Sequence, residues 1–349
     1  MLKILLALVI FGILVLIHEF GHFIVAKLCN IKVNKFAVGM GPCILKKQKG
    51  ETEYSLRVFP VGGFCAMEGE EEESDNVRAF GNKSVWQRMA VIIAGPFMNV
   101  LLGFILIIVT TCMSPYVPTN KIAGFHTVSE SVDTITASSY EAGLREGDVI
   151  IKMNGMHLWS QMDLLYELSS TNNESFDLVV KRNGEKIELD NVSFKDTETG
   201  EIIDFYIKGE KKNPLNVVIH SAKQTASTAR LIWISLIDLL SGKYGVQDMS
   251  GPVGLVNAIG DAATSGVSMA DHINSLLNLT IFITVNLGVF NLLPVPGLDG
   301  GRLLFLIIEG IRRKKISPEH EGMINLIGLG LVMLLIVVVT FSDIKKLIM

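Results

Sequence analysis

The chain has 349 residues, of which 49% are hydrophobic and 19% are charged. Soluble domains of this size usually carry more charge, so the composition favours a membrane protein with a soluble insertion. The net charge of −4, without a basic stripe, argues against a nucleic-acid partner, and four cysteines without CxxC spacing argue against a disulfide framework or a thiolate zinc site.

Four apolar windows are long enough to cross a bilayer, because a spanning helix needs about 20 apolar residues. The first window is too long for a signal peptide and lacks a small-residue cleavage site, so we predict a retained helix. The third is interrupted by Pro294 and Pro296. The windows cover residues 2–29, 90–113, 276–308 and 322–341.

The segment after the first window predicts β structure. Residues 35–68 contain three short strand-like runs separated by glycines, as in a sheet lying against the membrane. The acidic run at 68–73 predicts a solvated loop. The membrane core is therefore expected to comprise residues 1–113 and 275–349, in a polytopic α-helical protein with about four transmembrane helices and a membrane-associated β segment.

The region between the second and third windows predicts a soluble insertion. Residues 122–195 mix short strands with an amphipathic helix near 160–169, which is typical of an α+β domain. Residues 196–274 form the predicted connector. It contains a predicted interfacial helix at 225–240, whose apolar stretch is too short to cross the bilayer. It also contains a Gly-rich stretch at 251–266, whose conformation the sequence leaves undefined.

The basic residues of the short loops predict the orientation of the protein. Lysines within 32–49 and the basic run 312–315 favour the cytoplasm, which places the N-terminus and residues 114–274 outside. Lys345 and Lys346 argue weakly for the opposite orientation.

The first window contains an HExxH sequence at His18, Glu19 and His22. In a helix both imidazoles lie on one face and can bind one metal ion, while Glu19 projects to the side, where it can act on a water molecule. An ionisable group inside a bilayer costs about 3 kcal/mol, so three such groups in five residues indicate a metal, a partner or a water-filled cavity. The alternative is a helix end whose polar groups merely reach the interface.

A catalytic zinc site with two histidines needs a third protein ligand. Asp299 lies in NLLPVPGLDGG, where prolines and glycines break the third window, and irregular backbone at membrane depth is tolerated around a cavity. Asp299 is therefore the expected third ligand; alternatively it only caps the following helix. Glu309, at a helix end beside the basic loop, is expected to form an ion pair there.

Two motifs together resemble the site-2 protease family of intramembrane metalloproteases. They are HEFGH in the first window and NLLPVPGLDGG in the third. Residues 139–155, SYEAGLREGDVIIKMNG, resemble the core of a PDZ domain. A PDZ insertion between the second and third windows resembles the regulator-of-sigma-E protease branch (RseP-like). That branch often carries two PDZ repeats, whereas this insertion has room for one. Further segments similar to this family are AGPFMNVLLG (94–103), PVGGFCAMEGE (60–70) and SGPVGL (250–255).

The resemblance implies a zinc metalloendopeptidase with Zn²⁺ on His18, His22 and Asp299. Glu19 would then be the general base, and Asn291 would help to stabilise the oxyanion. The implied substrates are transmembrane segments of single-pass proteins, such as anti-sigma factors or remnant signal peptides, cut after an upstream site-1 protease. The implied location is a bacterial inner membrane, with the active site towards the cytoplasm and the PDZ-like domain outside.

Three questions stay open from the sequence. Asn99 in the second window is either a polar contact of the site or a helix–helix hydrogen bond. The protein could be a non-catalytic membrane scaffold that presents a PDZ module. A transporter is a third class, although the apolar windows show no inverted repeat.

Overall fold

The fold is a set of long helices with two separate groups of strands, seen in a computed structural model. The described residues are 2–70, 72–125, 127–129, 132–135, 137–170, 175–194, 203–245 and 249–348. Contacts divide the chain into two units, Met1–Gly103 with Ile232–Met349, and Phe104–Leu231. The helices are α1 (Leu2–Leu28), α2 (Val85–Met113), α3 (Ser138–Glu141), α4 (Gln161–Ser170), α5 (Pro214–Leu240), α6 (Pro252–Ala262), α7 (Met269–Asn291), α8 (Asp299–Arg312) and α9 (Pro318–Ile348).

Among the described helices, α1, α2, α7 and most of α9 are long and apolar enough to cross a membrane. Helix α1 lies within its predicted window, α2 and α9 extend beyond theirs, and α7 overlaps only the first part of the third window. Helix α2 begins five residues before the predicted position 90. The third window, 276–308, is not one helix. Helix α7 ends at Asn291 and α8 begins at Asp299, because Pro294 and Pro296 cannot continue a helical hydrogen-bond ladder. With 14 residues, α8 is about 21 Å long and too short to span.

Small residues bring the membrane helices of the first unit into close contact. A Cβ added at Gly21 of α1 would lie 2.4 Å from the Ala94 carbonyl oxygen of α2. A Cβ at Gly288 of α7 would lie 2.8 Å from the Pro96 carbonyl oxygen, again on α2. Close packing of this kind holds helices together where lipid supplies no hydrophobic driving force. Helix α2 therefore sits between α1 and α7.

Residues 35–68, predicted as three short strands, instead form two long antiparallel strands, β1 (Val33–Lys49) and β2 (Thr52–Met67). Each strand bends, so that Phe36 of β1 pairs with both Cys65 and Tyr54 of β2. Positive φ angles at Gly39 and Gly62 permit the bends. The resulting order of paired segments is 63–67, 33–38, 53–56 and 43–49.

Segment 63–67 is an edge of this sheet. It pairs with 33–38 on one side, and no other described strand pairs with it on the other. An edge strand can add an extended chain through its outer backbone groups, although the amides of Cys65 and Met67 contact the carboxylates of Glu19 and Glu70 here.

The second unit has an α+β architecture. Its main sheet is antiparallel with the order β7-β6-β8-β9, and α4 matches the amphipathic helix expected near 160–169. Residues 195–202, where the predicted domain ends and the connector begins, lie outside the described residues. The strands of this unit are β3 (Ile122–Phe125), β4 (Thr127–Ser129), β5 (Val132–Ile135), β6 (Val149–Met153), β7 (Met156–His157), β8 (Phe176–Arg182), β9 (Glu185–Val192) and β10 (Phe205–Ile207).

Buried acids stabilise the second unit from inside. Asp148 is fully buried and pairs with Arg182 at 2.8 Å. Asp163, at the start of α4, is also fully buried and pairs with Arg230 of α5 at 2.7 Å. Because a buried charge without a partner is costly, these pairs fix the positions of β8 and α5 in the unit.

The predicted connector is more helical than its sequence indicated. Helix α5 begins at Pro214, eleven residues before the expected interfacial helix at 225–240. The Gly-rich stretch 251–266 contains a helix, α6. Its first turn is held by the buried Asp343 of α9, whose Oδ2 accepts hydrogen bonds from the backbone amides of Gly251 (2.9 Å) and Gly254 (2.8 Å).

Candidate active site

The HExxH sequence lies on α1, where His18 and His22 are one helical turn apart and are each 7% exposed. Their Nε2 atoms lie 3.2 Å from one another, and the two rings meet edge to face. The helix periodicity of residues 18 and 22 therefore produces the shared face that the sequence predicted.

Asp299 completes the cluster from the first residue of α8. Its Oδ2 lies 3.0 Å from His18 Nε2 and 3.3 Å from His22 Nε2. The residue that caps α8 is Leu298, and no side chain donates or accepts a capping hydrogen bond there. The Asp299 carboxylate is thus directed at the histidine pair, not at the helix end.

Glycines after Asp299 allow this geometry. A Cβ at Gly300 would lie 2.1 Å from the Leu293 carbonyl oxygen, and one at Gly301 would lie 2.5 Å from that of Val295. The turn between α7 and α8 therefore folds back onto the first residues of α8. The DGG sequence suits this turn because a side chain at position 300 or 301 would push the turn away from the start of α8.

The three atoms fit a zinc ion. Ligand atoms at about 2.0–2.1 Å from a tetrahedral zinc lie about 3.3–3.4 Å from one another. The three separations here range from 3.0 to 3.3 Å. Asp299 Oδ2 is buried without a hydrogen-bond partner, as expected for an atom that needs a cation. Within the described part of the chain, this is the group of three ligands close enough to hold one ion.

Hydrogen bonds to the far side of each imidazole orient the ligand nitrogens. His22 Nδ1 lies 2.8 Å from the Val91 carbonyl oxygen. Because a carbonyl only accepts, Nδ1 must carry the proton, and Nε2 keeps its lone pair for the metal. This bond also connects α1 to α2.

The Asn99 side chain lies 3.1 Å from His18 Nδ1. Its Oδ1 has no partner, and rotating the amide brings this oxygen to Nδ1, where it accepts the proton that ligation through Nε2 requires. Thr284 of α7 donates to the Asn99 carbonyl oxygen at 3.0 Å. The sequence left open whether Asn99 contacts the site or forms a helix–helix hydrogen bond. Its side chain does both, because it connects α2 to His18 of α1.

Gly95 of α2 makes room for the Nε2 atoms of His18 and His22. A Cβ at this position would lie 2.4 Å from His22 Nε2 and 2.8 Å from His18 Nε2. Sequence reasoning did not single out Gly95, although Gly-Pro inside an apolar helix is an unusual pair that could have drawn notice.

A cavity of about 680 Å³ opens beside the cluster. Glu19 lies on its wall, next to the metal-binding residues and outside their triangle. The backbone amide of Cys65 is a hydrogen-bond partner of the Glu19 carboxylate. The sheet edge supplies another wall through Phe64, Ala66 and Met67. The three side chains of the cluster are therefore open to this cavity.

Two other predicted residues stand apart from the cluster. Asn291 is the last residue of α7 and is not among the described residues that line the cavity. Glu309 forms a buried ion pair, but its partner is Arg88 of α2 (Nη1 to Oε2, 3.0 Å), not the basic loop. Glu309 is therefore a structural residue, and the proposed role of Asn291 rests on the resemblance alone.

Comparison with known proteins decides the family. The model of peptidase family M50 matches residues 6–335. The chain belongs to peptidase family M50. This is the site-2 protease family, so the family and the class of enzyme predicted from the sequence are confirmed.

The M50 relatives match over nearly the whole length. A protein of Clostridium acetobutylicum named as a zinc metalloprotease is 35% identical, over 98% of this chain and 97% of its own. One from Clostridium perfringens with the same description is 36% identical over 97% of each chain. The regulator of sigma-W protease RasP of Bacillus subtilis is 30% identical, also over 97% of each chain.

Proposed function

We propose that this M50 peptidase hydrolyses peptide bonds within transmembrane segments of single-pass membrane proteins, at a zinc ion held by His18, His22 and Asp299. The observation that carries the proposal is the convergence of these three ligand atoms, within 3.3 Å of one another, on helices of a membrane core. The relatives' names as zinc metalloproteases support the choice of metal.

Zinc at this site would acidify a water molecule and polarise the scissile carbonyl. Glu19 stands beside the ligands and is not one of them, so its carboxylate is free to take a proton from the attacking water. It then delivers the proton to the leaving amine. By resemblance to the family, Asn291 helps to stabilise the oxyanion.

The substrate must be extended before it can be cut. In a transmembrane helix every backbone carbonyl is engaged, so the segment has to unwind locally. The edge 63–67 borders the same cavity as Glu19, and no other described strand pairs with its outer side. We propose that the unwound segment adds to this edge as a strand and thereby presents its carbonyl to the metal site.

The α+β unit supports two roles for its PDZ-like segment, 139–155. It either captures the new C-terminus left by an upstream site-1 protease, or excludes substrates with large ectodomains. The name of the Bacillus subtilis relative, a regulator of sigma-W protease, supports anti-sigma factors as a substrate class beside remnant signal peptides. We place the protein in a bacterial inner membrane, with the active site towards the cytoplasm and the α+β unit outside.

Glu19→Gln tests the mechanism. The variant keeps all three ligands, so we expect zinc content equal to wild type. Cleavage of a transmembrane peptide in detergent should fall by at least about 100-fold, because a general base is lost. Zinc is measured by mass spectrometry of the purified protein and cleavage by product formation. Normal turnover by Glu19→Gln would end the proposal.

Variants of the ligands separate a protease from a scaffold. We expect equimolar zinc in the wild type and its loss in His18→Ala and His22→Ala. Glu51→Gln, on the turn of the β hairpin and away from the cavity, serves as the control and should keep both zinc and activity. Wild-type protein that binds no zinc would favour the non-catalytic scaffold.

A further inference from the structure

An ion pair outside the metal cluster connects the sheet edge to the helix that carries Asp299. Arg302 Nη1 lies 2.5 Å from Glu70 Oε1. The two side chains are 28% and 14% exposed, so the pair is shielded from solvent far more than a surface ion pair. It lies in the first unit, at the wall of the cavity that also contains the metal ligands.

The position of Arg302 on α8 follows from helix geometry. Residues three apart lie on the same helix face, so Asp299 and Arg302 both face the cavity. Because Gly300 and Gly301 hold the start of α8 tightly against the preceding turn, a force on Arg302 acts on a rigid element. Arg302 is therefore a fixed point beside the third ligand.

Glu70 follows the sheet edge directly. Its Oε2 accepts a hydrogen bond from the backbone amide of Met67, the last residue of β2, at 3.1 Å. One carboxylate thus contacts the end of the edge strand with one oxygen and α8 with the other. The acidic run at 68–73 was expected to be a solvated loop, but its third residue, Glu70, forms an ion pair with Arg302.

We propose that Glu70 and Arg302 are positioning residues for hydrolysis, which fasten the edge 63–67 at a fixed offset from Asp299 and so determine which peptide bond of a bound strand reaches the metal. This inference rests on the proposed function, because it assumes that the substrate adds to that edge. Without the Glu70–Arg302 ion pair, a bound strand could shift along the edge, and the cut would move along the substrate. A shift by one residue would turn its side chains to the opposite face, whereas a shift by two residues would keep them on the same face.

The ion pair between Glu70 and Arg302 also lies where three cavities meet. Glu70 and Arg302 line the catalytic cavity, a cavity of about 510 Å³ beside Gly297 and Asn325, and one of about 610 Å³ beside Arg88 and Glu309. The pair therefore lies at the boundary between the cavity beside the cluster and the two neighbouring cavities. An ion pair, with its strict geometry, serves this position better than an apolar contact.

The test uses the full-length protein with a transmembrane peptide, and measures kcat per bound zinc, KM and the cut position by mass spectrometry. In Glu70→Gln and in Arg302→Gln we expect kcat per zinc to fall roughly 10- to 100-fold, because alignment is lost while the ligands remain. KM should stay within about twofold, and cuts should spread to neighbouring bonds. A mere loss of folded protein would not move the cut.

Three comparisons decide the assignment. The double variant Glu70→Gln with Arg302→Gln should lose no more activity than either single variant, since both remove one interaction. Arg302→Lys keeps the charge and should retain most of the activity and the wild-type cut. Glu51→Gln, which breaks an ion pair with Arg78 at the other end of the hairpin, should leave kcat and cut position unchanged. Arg78 and Lys27 hold the pKa of Glu51 at about 2, so this control also removes a charge at the assay pH.

The inference is overturned if either glutamine variant cuts at the wild-type position with kcat per zinc within about twofold of wild type. Loss of zinc from these variants would overturn it as well, since the pair would then serve the metal site. Failure of the proposed function would be seen in a different comparison, between the wild type and Glu19→Gln. The wild type would then show no cleavage that depends on Glu19.

Discussion

At the scale of single residues, the metal site depends as much on an absent side chain as on its ligands. His18 and His22 reach one point because a helical turn separates them, but the space they reach into is provided by Gly95 of the neighbouring helix. The Val91 carbonyl and the Asn99 amide then fix the rings from behind. Helix α2 contributes no ligand and yet determines the shape of the site.

Gly95→Ala is expected to weaken zinc binding by roughly 10- to 100-fold, as is typical when the support of a ligand is lost. The added methyl group would lie 2.4 Å from His22 Nε2, and the nearby ring cannot move without breaking its bond to Val91. The affinity is measured by competition with a chelator. Gly330→Ala is the matched control, because this glycine of α9 has open space around its Cα and should bind zinc as wild type does. Unchanged affinity in Gly95→Ala would contradict the account.

The convergence of His18, His22 and Asp299 could be predicted from the sequence, but the contacts that support these side chains could not. HExxH is a local pattern, and Asp299 stood out as a carboxylate on a broken apolar segment. The contact of Gly95 with both imidazoles arises from a helix crossing, which leaves no periodic signal. Asn99 was noticed as polar, but its partner depended on the same crossing.

At the scale of elements, Asp343 connects α9 to the first turn of α6. The first backbone amides of a helix have no partner within it, and here a carboxylate from another helix accepts two of them. Negative charge is also favoured at a helix N-terminus. Asp343 is 3% exposed, so water does not replace these bonds.

Asp343→Ala should therefore lower the stability of the membrane core by about 0.5–2 kcal/mol, the usual value of a capping side chain. Thermal unfolding of the purified protein in detergent measures the change. The control is Asp261→Ala, an exposed aspartate on α6 itself, for which we expect little effect. Equal melting temperatures for Asp343→Ala and wild type would show that the cap contributes nothing.

The elements show where sequence reasoning stops. The apolar windows predicted the long helices because bilayer thickness sets a length that composition reveals. Helix α6 escaped prediction because glycines lower helix propensity, and the cap that offsets this lies almost 90 residues away at Asp343. The hairpin was read as three short strands, since the double pairing of Phe36 is a long-range feature that alternation does not encode.

At the scale of the whole molecule, the distribution of basic residues predicts an orientation in the membrane. The basic run 312–315 and the lysines of the hairpin favour the cytoplasmic side, whereas Lys345 and Lys346 favour the opposite orientation. His18 and His22 lie near the end of α1 that leads into the hairpin, so this orientation predicts an active site towards the cytoplasm.

Cysteine labelling tests this orientation. In a variant without the native cysteines, a membrane-impermeant maleimide added to intact cells should label His157→Cys in the α+β unit. It should label Lys314→Cys only after permeabilisation. Both positions are exposed, so a difference in labelling reports the side of the membrane and not burial. The reverse pattern would invert the assignment.

The chain distance between the first ligands and the last has a consequence for biosynthesis. His18 and Asp299 are about 280 residues apart. At about 5–20 residues per second, a ribosome needs roughly 15–60 s to pass from one to the other. During that interval both imidazoles are already in the growing chain while their carboxylate partner does not yet exist. The cluster of His18, His22 and Asp299 can therefore form only after the start of α8 has been synthesised.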